Sequence, residues 1–225
     1  MNSYPDVKHP KTYKSRLGGY GDFYFRVSQD EYSKLVDLEA KYESETDDYE
    51  KSEVGNLCFE AGVKTILFAA LCVEASINDY AAWQLGDSYF EKHLANLDVA
   101  SKWVVIPKLV CGKEINKSGA GYAELKALIR SRNELAHNKS KHLDINNPQL
   151  PSKLEARTTK FYGSAHAAYK TLLLISLEFD QLVGPHFNPL RTLDKEISPM
   201  LEIPSNIIGV YADCKNIITR NNNAS

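Results

Sequence analysis

An unbroken apolar run, Ile66 to Val73, limits the fold of this chain more than any other stretch. A helix that is apolar on every side has to be surrounded by other elements, so the run predicts the central helix of a bundle, over about residues 57–84. The run is too short to span a bilayer, and Glu74 closes it. We therefore expect this helix at the centre of a protein core rather than in a membrane.

Further helices are predicted on both sides, because apolar residues recur at helical spacing between glycines and prolines. Their approximate bounds are 30–50, 89–97, 99–110, 122–138, 155–183 and 205–219. The aromatic stretch from Asp22 to Val27 follows a glycine-rich turn and is the one place where a small N-terminal β-hairpin is plausible. The expected fold is all-α, a helical bundle of four to five main helices. The expected domains are an N-terminal arm or hairpin at 1–28, a single helical domain at 29–219 and a disordered tail at 220–225.

The composition is typical of a soluble globular protein. Of the 225 residues, 43% are hydrophobic and 25% are charged, and the formal net charge is −2. No global field therefore attracts nucleic acid, but the charge is locally uneven. Acids dominate from Asp30 to Glu60, whereas the stretch from Ser101 to His142 has nine bases and three acids. Such a basic stretch can hold an anion, although a solvated helix face with lysines explains it equally well.

The cysteines and the N-terminus bear on cofactors and compartment. None of the four cysteines belongs to a C-x-x-C pair or has a histidine at metal-ligand spacing, so we expect reduced core residues, no metal site and no cofactor. The first residues are polar and lack the apolar core of a signal peptide. We expect a cytoplasmic protein with no membrane partner.

A polar constellation lies at the C-terminal end of the helix predicted over 122–138. Asn133 and His137 are four residues apart and share one helical face, and Arg132 lies on the flank of that face. Arginine keeps its charge, and imidazole titrates near neutrality. The combination is suited to a phosphate diester, and core packing does not require it.

A second polar pair, Glu74 and Asn78, follows the apolar run of the central helix directly. These two residues are also four apart and share a face. A buried carboxylate needs a partner because an isolated buried charge is costly, and we expect Arg132 to be the partner of Glu74. A surface position for Glu74 is the alternative.

The segment from Arg132 to His137 has the form R-N-x-x-x-H. It resembles the R-x4-6-H motif of the HEPN superfamily, small all-α domains whose ribonuclease members often carry Asn or Asp after the arginine. The upstream hydrophobic helix with Glu74 and the intervening stretch from Lys102 to Leu109 agree with that family. The resemblance covers about residues 57–183 and leaves both ends of the chain without a counterpart.

The resemblance implies a metal-independent endoribonuclease, in which a ribose 2′-OH attacks the adjacent phosphate and leaves a 2′,3′-cyclic phosphate and a 5′-OH. In that scheme His137 transfers protons, Arg132 stabilises the charge that develops on the phosphate, and Asn133 orients His137 or contacts the phosphate. Glu74 and Asn78 would hold Arg132 in place. The side chains expected to bind the RNA backbone are Arg130, Lys139, Lys141 and His142.

The resemblance also implies a homodimer with the active site at its two-fold interface and a role in toxin–antitoxin systems or antiphage defence. It leaves room for an antitoxin or nucleotidyltransferase partner. Two other interpretations stay open. Arg132 and His137 could serve the bundle alone, as the counter-charge of Glu74 and as a cation at a helix C-terminus. The domain could also be a non-catalytic HEPN module that binds RNA, nucleotide or a partner protein.

Overall fold

The computed structural model describes residues 19–140, 142–193, 196–198 and 202–223. In these ranges the chain forms seven α-helices, two short 3₁₀ turns and no β-strand, so the all-α prediction is confirmed. The helices are α1 (Gly21–Ser44), α2 (Asp48–Leu85), α3 (Asp87–His93), α4 (Val99–Cys111), α5 (Ala120–Ala136), α6 (Leu150–Val183) and α7 (Ile208–Asn223). The 3₁₀ turns are Pro185–Phe187 and Ser205–Ile207.

Helix α2 is the centre of the bundle, as its apolar run predicts. It is 38 residues long and packs against α1, α3, α4, α5 and α6. Its buried side chains extend from Val54 to Gln84, so every turn along most of its length contributes to the core. By length and composition α2 could cross a membrane, but half of its most apolar window is buried inside the bundle, and core helices of soluble proteins pass the same test.

The expected strand at Asp22 to Val27 is wrong, because this stretch forms the first turns of α1. Phe25, Tyr32 and Leu35 recur at helical spacing and are buried against the bundle. The start of α1 also approaches α2 closely: a Cβ on Gly21 would lie 2.5 Å from the Ser76 hydroxyl, so the missing side chain permits the contact. Residues 16–18 of the expected hairpin lie outside the described part of the chain.

The junction between α1 and α2 also differs from the prediction of one helix to Glu50 and a break near Gly55. The break comes at residues 45–47, where the Asp47 carboxylate accepts hydrogen bonds from the backbone amides of Tyr49 and Glu50 at 3.0 and 2.9 Å. An N-cap of this kind starts a helix efficiently. Gly55 lies inside α2, facing the ring of Tyr42.

Helix α4 packs against α2 and α5. α4 continues one turn past Pro107 and ends at Gly112, whose φ of 77° suits glycine. Its Trp103 is fully buried and meets the ring of Phe179 on α6 edge to face, with 4.7 Å between centroids. This packing places α4 beside the middle of α2.

The C-terminal part of the chain closes the bundle on the side of α6. Cys214 and Ile218 of α7 are buried, and the Asn206 amide donates hydrogen bonds to the Ser33 carbonyl and the Asp37 carboxylate of α1, each at 2.9 Å. α7 extends to Asn223, past the domain boundary at residue 219 that the sequence predicts. Likewise α1 begins at Gly21, so the boundary at residue 28 falls within a helix.

Candidate functional site

Arg132 contacts Glu74, as the sequence predicts. The Arg132 Nη2 atom donates a hydrogen bond to Glu74 Oε2 at 3.2 Å, which joins the last turns of α5 to the middle of α2. The side chains are 28% and 37% exposed, respectively. The contact with Glu74 orients the Arg132 side chain but uses only one of its nitrogens. The guanidinium has five N–H donors, so others remain for a ligand that approaches from solvent.

Asn133 and His137 face solvent at the end of α5. His137 is the C-terminal cap residue, and its backbone amide donates to the Asn133 carbonyl at 2.9 Å. Within the described part of the chain, neither side chain makes a hydrogen bond. The motif is therefore divided: the arginine turns towards α2, while the amide and the imidazole are presented outward to whatever binds at this helix end.

Asn78 does not hold Arg132, and this part of the expectation needs correction. The Asn78 Oδ1 atom accepts a hydrogen bond of 2.9 Å from Nζ of Lys102 on α4. Glu74 and Asn78 lie one turn apart on α2, so two neighbouring turns of the same helix receive cations from two different helices. Glu74 receives Arg132 from α5, and Asn78 receives Lys102 from α4.

Lys102 is the residue of this site to which the sequence pattern assigned no role. Its side chain is only 3% exposed and lies just below the surface of the bundle, with Nζ 5.4 Å from the centroid of the Phe90 ring. Burial lowers the pKa of the ammonium, and the negative charges of Glu74 and Asp98 oppose that shift. The sequence does contain an indication that Lys102 is buried. It stands at helical spacing with Val99, Ile106 and Val110, on a buried face where a lysine is unusual.

The side chains expected to bind an RNA backbone are dispersed around the end of α5. Arg130 is exposed on α5, and Lys139 and His142 are exposed in the loop that follows. Lys141 lies outside the described residues. These side chains are not gathered around Arg132 by hydrogen bonds or ion pairs within the described ranges, so they form an open basic surface rather than a closed pocket.

A shallow cavity of about 170 Å³ lies between α5 and α6, next to the motif. Ser131 lines it together with Lys160, Gly163 and Ser164. Across its rim, Lys160 forms an ion pair with Glu134 at 2.8 Å, in which both side chains are mostly exposed. The cavity is smaller than the pockets of roughly 300–1,000 Å³ that hold small-molecule ligands.

Metal and disulfide chemistry have no assembled site in the part of the chain that the structure describes. In those ranges no group of three or more His, Cys, Asp or Glu side chains is placed to hold a metal ion. The four cysteines are free thiols; Cys58, Cys72 and Cys214 are buried, and Cys111 is partly exposed.

Comparison with known proteins gives no assignment: no protein-family model, no curated protein and no solved structure matches this chain. The geometry around Arg132 and the residue pattern of α5 therefore carry the functional interpretation.

Proposed function

We propose that this chain is a HEPN-type, metal-independent endoribonuclease with Arg132, Asn133 and His137 as its catalytic residues. The observation that carries the proposal is the orientation of Arg132 by Glu74, at 3.2 Å, beside a helix end that presents His137 to solvent. The guanidinium oriented by Glu74 and the accessible imidazole at the end of the same helix are the two groups that we propose for RNA transesterification.

The proposed reaction uses the substrate as its own nucleophile. The ribose 2′-oxygen bonds to the adjacent phosphorus while the bond from phosphorus to the 5′-oxygen breaks. His137 accepts the proton of the 2′-OH, or donates a proton to the departing 5′-oxygen. Arg132 donates hydrogen bonds to the non-bridging oxygens as negative charge builds up on them. The products are a 2′,3′-cyclic phosphate and a 5′-OH, and no metal is required.

The open form of the site supports a polymeric substrate over a small metabolite. The cavity beside Ser131 is too small for a nucleotide-sized ligand, whereas Arg130, Lys139 and His142 are exposed around the helix end. Basic side chains dispersed over a surface can follow a phosphate backbone. Lys141 belongs to the same proposed set.

Two proton-transfer groups are needed, and a homodimer with the site at its interface would supply a second His137. Leu71 supports this part of the proposal, because it is 42% exposed, one turn before Glu74, whereas every other residue of α2 from Ala61 to Leu85 is buried or partly buried. A two-fold axis near Leu71 would bring two copies of α2 and α5 together. We further propose a cytoplasmic role in toxin–antitoxin or antiphage defence, with an antitoxin or nucleotidyltransferase as a candidate partner.

The test is cleavage of a mixed RNA pool in EDTA by the wild type, Arg132→Ala and His137→Ala, with analysis of the product ends. We expect cyclic phosphate and 5′-OH ends from the wild type and a loss of at least about 100-fold in each variant, the scale of one general acid–base group. Lys160→Ala is the matched control, because it removes a cation that pairs with Glu134, a residue of α5 to which the motif assigns no role.

Three results would contradict the proposal. Cleavage that persists in both folded variants would assign the activity to other residues or to a contaminant. RNA binding without turnover by the wild type would favour the non-catalytic HEPN module. Failure of both variants to fold would make Arg132 and His137 structural residues of the bundle.

A further inference from the structure

Glu74 has a second cation near it besides Arg132. Its carboxylate accepts from Arg132 at 3.2 Å and attracts Lys102, whose direct hydrogen-bond partner is the neutral amide of Asn78. With both cations charged, these four side chains sum to +1, and the carboxylate of Asp98 at the start of α4 brings the local total to zero. A nearly buried ammonium whose direct partner is neutral is unusual, because burial of a charge is costly.

Burial on balance lowers the pKa of the Lys102 ammonium, and several contacts partly oppose that effect. Its Nζ donates to Asn78 Oδ1 at 2.9 Å and lies over the face of Phe90, which attracts a cation. The carboxylates of Glu74 and Asp98 add attraction from two sides. Asp98 also accepts hydrogen bonds from Ser101 at the start of α4, which keeps the pKa of this carboxyl below its usual range.

We infer that Lys102 is a positioning residue that offsets the charge of Glu74, so that Arg132 keeps its attraction for a phosphate. This inference rests on the proposed function, since it assigns the phosphate of the RNA backbone as the anion. Glu74 alone would neutralise Arg132 and weaken its attraction for an anion. Lys102 offsets the charge of Glu74 from below the surface, so that Glu74 can orient Arg132 without cancelling its charge. Lys102 itself does not touch the RNA.

The inference is tested by the binding of a fluorescent 2′-O-methyl RNA of mixed sequence, which has no free 2′-OH to act as a nucleophile. Binding is measured by anisotropy at several salt concentrations, and cleavage of ordinary RNA is measured in parallel. Lys102→Met removes the charge, and Lys102→Arg keeps it. The matched control is Lys108→Met, an exposed lysine on the same helix. We expect roughly ten-fold weaker binding for Lys102→Met, as for loss of one charge near an anion at a protein surface, and little change for the other two.

Asn78→Asp separates charge from structure. An aspartate in place of Asn78 keeps the acceptor for Lys102 and pairs with its ammonium, so the fold should be retained, while the added negative charge offsets that of Lys102. We expect Asn78→Asp to weaken RNA binding about as much as Lys102→Met does. A purely structural role for Lys102 would leave RNA binding by Asn78→Asp unchanged.

The outcomes for the two proposals are distinct. If the wild type binds the 2′-O-methyl RNA but cuts no RNA, the nuclease proposal fails, and the order of the variants in binding still decides the role of Lys102. If the wild type cuts RNA and both Asn78→Asp and Lys102→Met bind as tightly as it does, the inference about Lys102 is overturned and the nuclease proposal stands. If no form of the protein binds the RNA, the phosphate site is overturned.

Discussion

The indole nitrogen of Trp103 donates a hydrogen bond to the backbone carbonyl of Val73 at 3.1 Å, one residue before Glu74. A carbonyl inside a helix already accepts a bond from the next turn, so Val73 receives a second donor, from α4. The contact fixes the level at which α4 meets α2, and with it the positions of Lys102 and Glu74. Trp103 is thus the structural support of the candidate site.

We expect Trp103→Ala to lower the free energy of unfolding by about 3–5 kcal/mol, because a fully buried large side chain is lost. Trp103→Phe should cost less, but it removes the bond to Val73. The measurement is urea unfolding followed by circular dichroism. The control is Trp83→Phe: within the described residues, the buried Trp83 Nε1 has no hydrogen-bond partner, so the loss of this donor should be close to neutral. Equal losses for the two Phe variants would contradict a role for the Val73 bond.

The contact between Arg132 and Glu74 should contribute little to folding. Both side chains are about a third exposed, and ion pairs of this kind contribute roughly 0–1 kcal/mol. We expect Arg132→Ala to change the free energy of unfolding by about 1 kcal/mol or less. A double-mutant cycle with Glu74→Gln measures the coupling, and the more exposed pair of Lys160 and Glu134 gives the reference. A loss above about 3 kcal/mol would identify Arg132 as a structural strut.

The half-buried carboxyl of Glu178 should make stability depend on pH. Burial raises the pKa of Glu178 above the ordinary 4.5. The backbone amide of Asn116 donates a hydrogen bond to the carboxylate at 2.7 Å and opposes this shift. From pH 4.5 up to the folded-state pKa, the native protein keeps a proton that the unfolded chain has released. The contribution of Glu178 to stability therefore falls as the pH rises through that window and stays low above it.

Glu178→Gln removes this titration, so we expect the variant to gain stability relative to the wild type at pH 7 and to lose that gain near pH 4. Thermal unfolding at a series of pH values measures the difference. Glu155→Gln, at an exposed position on the same helix, is the matched control for the loss of one carboxylate. A Glu178→Gln variant less stable than the wild type at neutral pH would contradict a raised pKa for this carboxyl in the folded protein.

Self-association should depend on Leu71 if the proposed dimer forms through α2. We expect Leu71→Glu to be monomeric in light scattering after size exclusion and to lose RNA cleavage, because a charge cannot be buried unpaired at an apolar interface. Leu109→Glu, at a similarly exposed position on α4, should remain dimeric and active. A dimeric and active Leu71→Glu variant would place the interface elsewhere.

The long helices could be predicted from the sequence, whereas features that depend on a neighbouring helix could not. The apolar run of α2 and the spacing along α6 are local patterns. The contact of Arg132 with Glu74 followed from the cost of an isolated buried charge. The aromatic segment from Asp22 to Val27 predicts a strand when it is considered alone. It forms a helix whose rings pack on α2, as in the contact of Tyr24 with Phe68, and this packing is not visible in the local sequence. Lys102 was missed because lysine usually indicates a surface position.

The length of α2 has a consequence for how an anion would approach. At a rise of 1.5 Å per residue, about 39 Å separate Asp48 from Glu74 along the helix. Acidic residues surround the first end, at Glu45, Asp47, Asp48, Glu50 and Glu53, while the Arg132 site lies towards the other. The acidic end should repel a polyanion, and the proposed phosphate site should attract one. At low salt, a polyanion would be repelled from the acidic end and drawn towards the Arg132 site before contact. Association should therefore slow as salt is added.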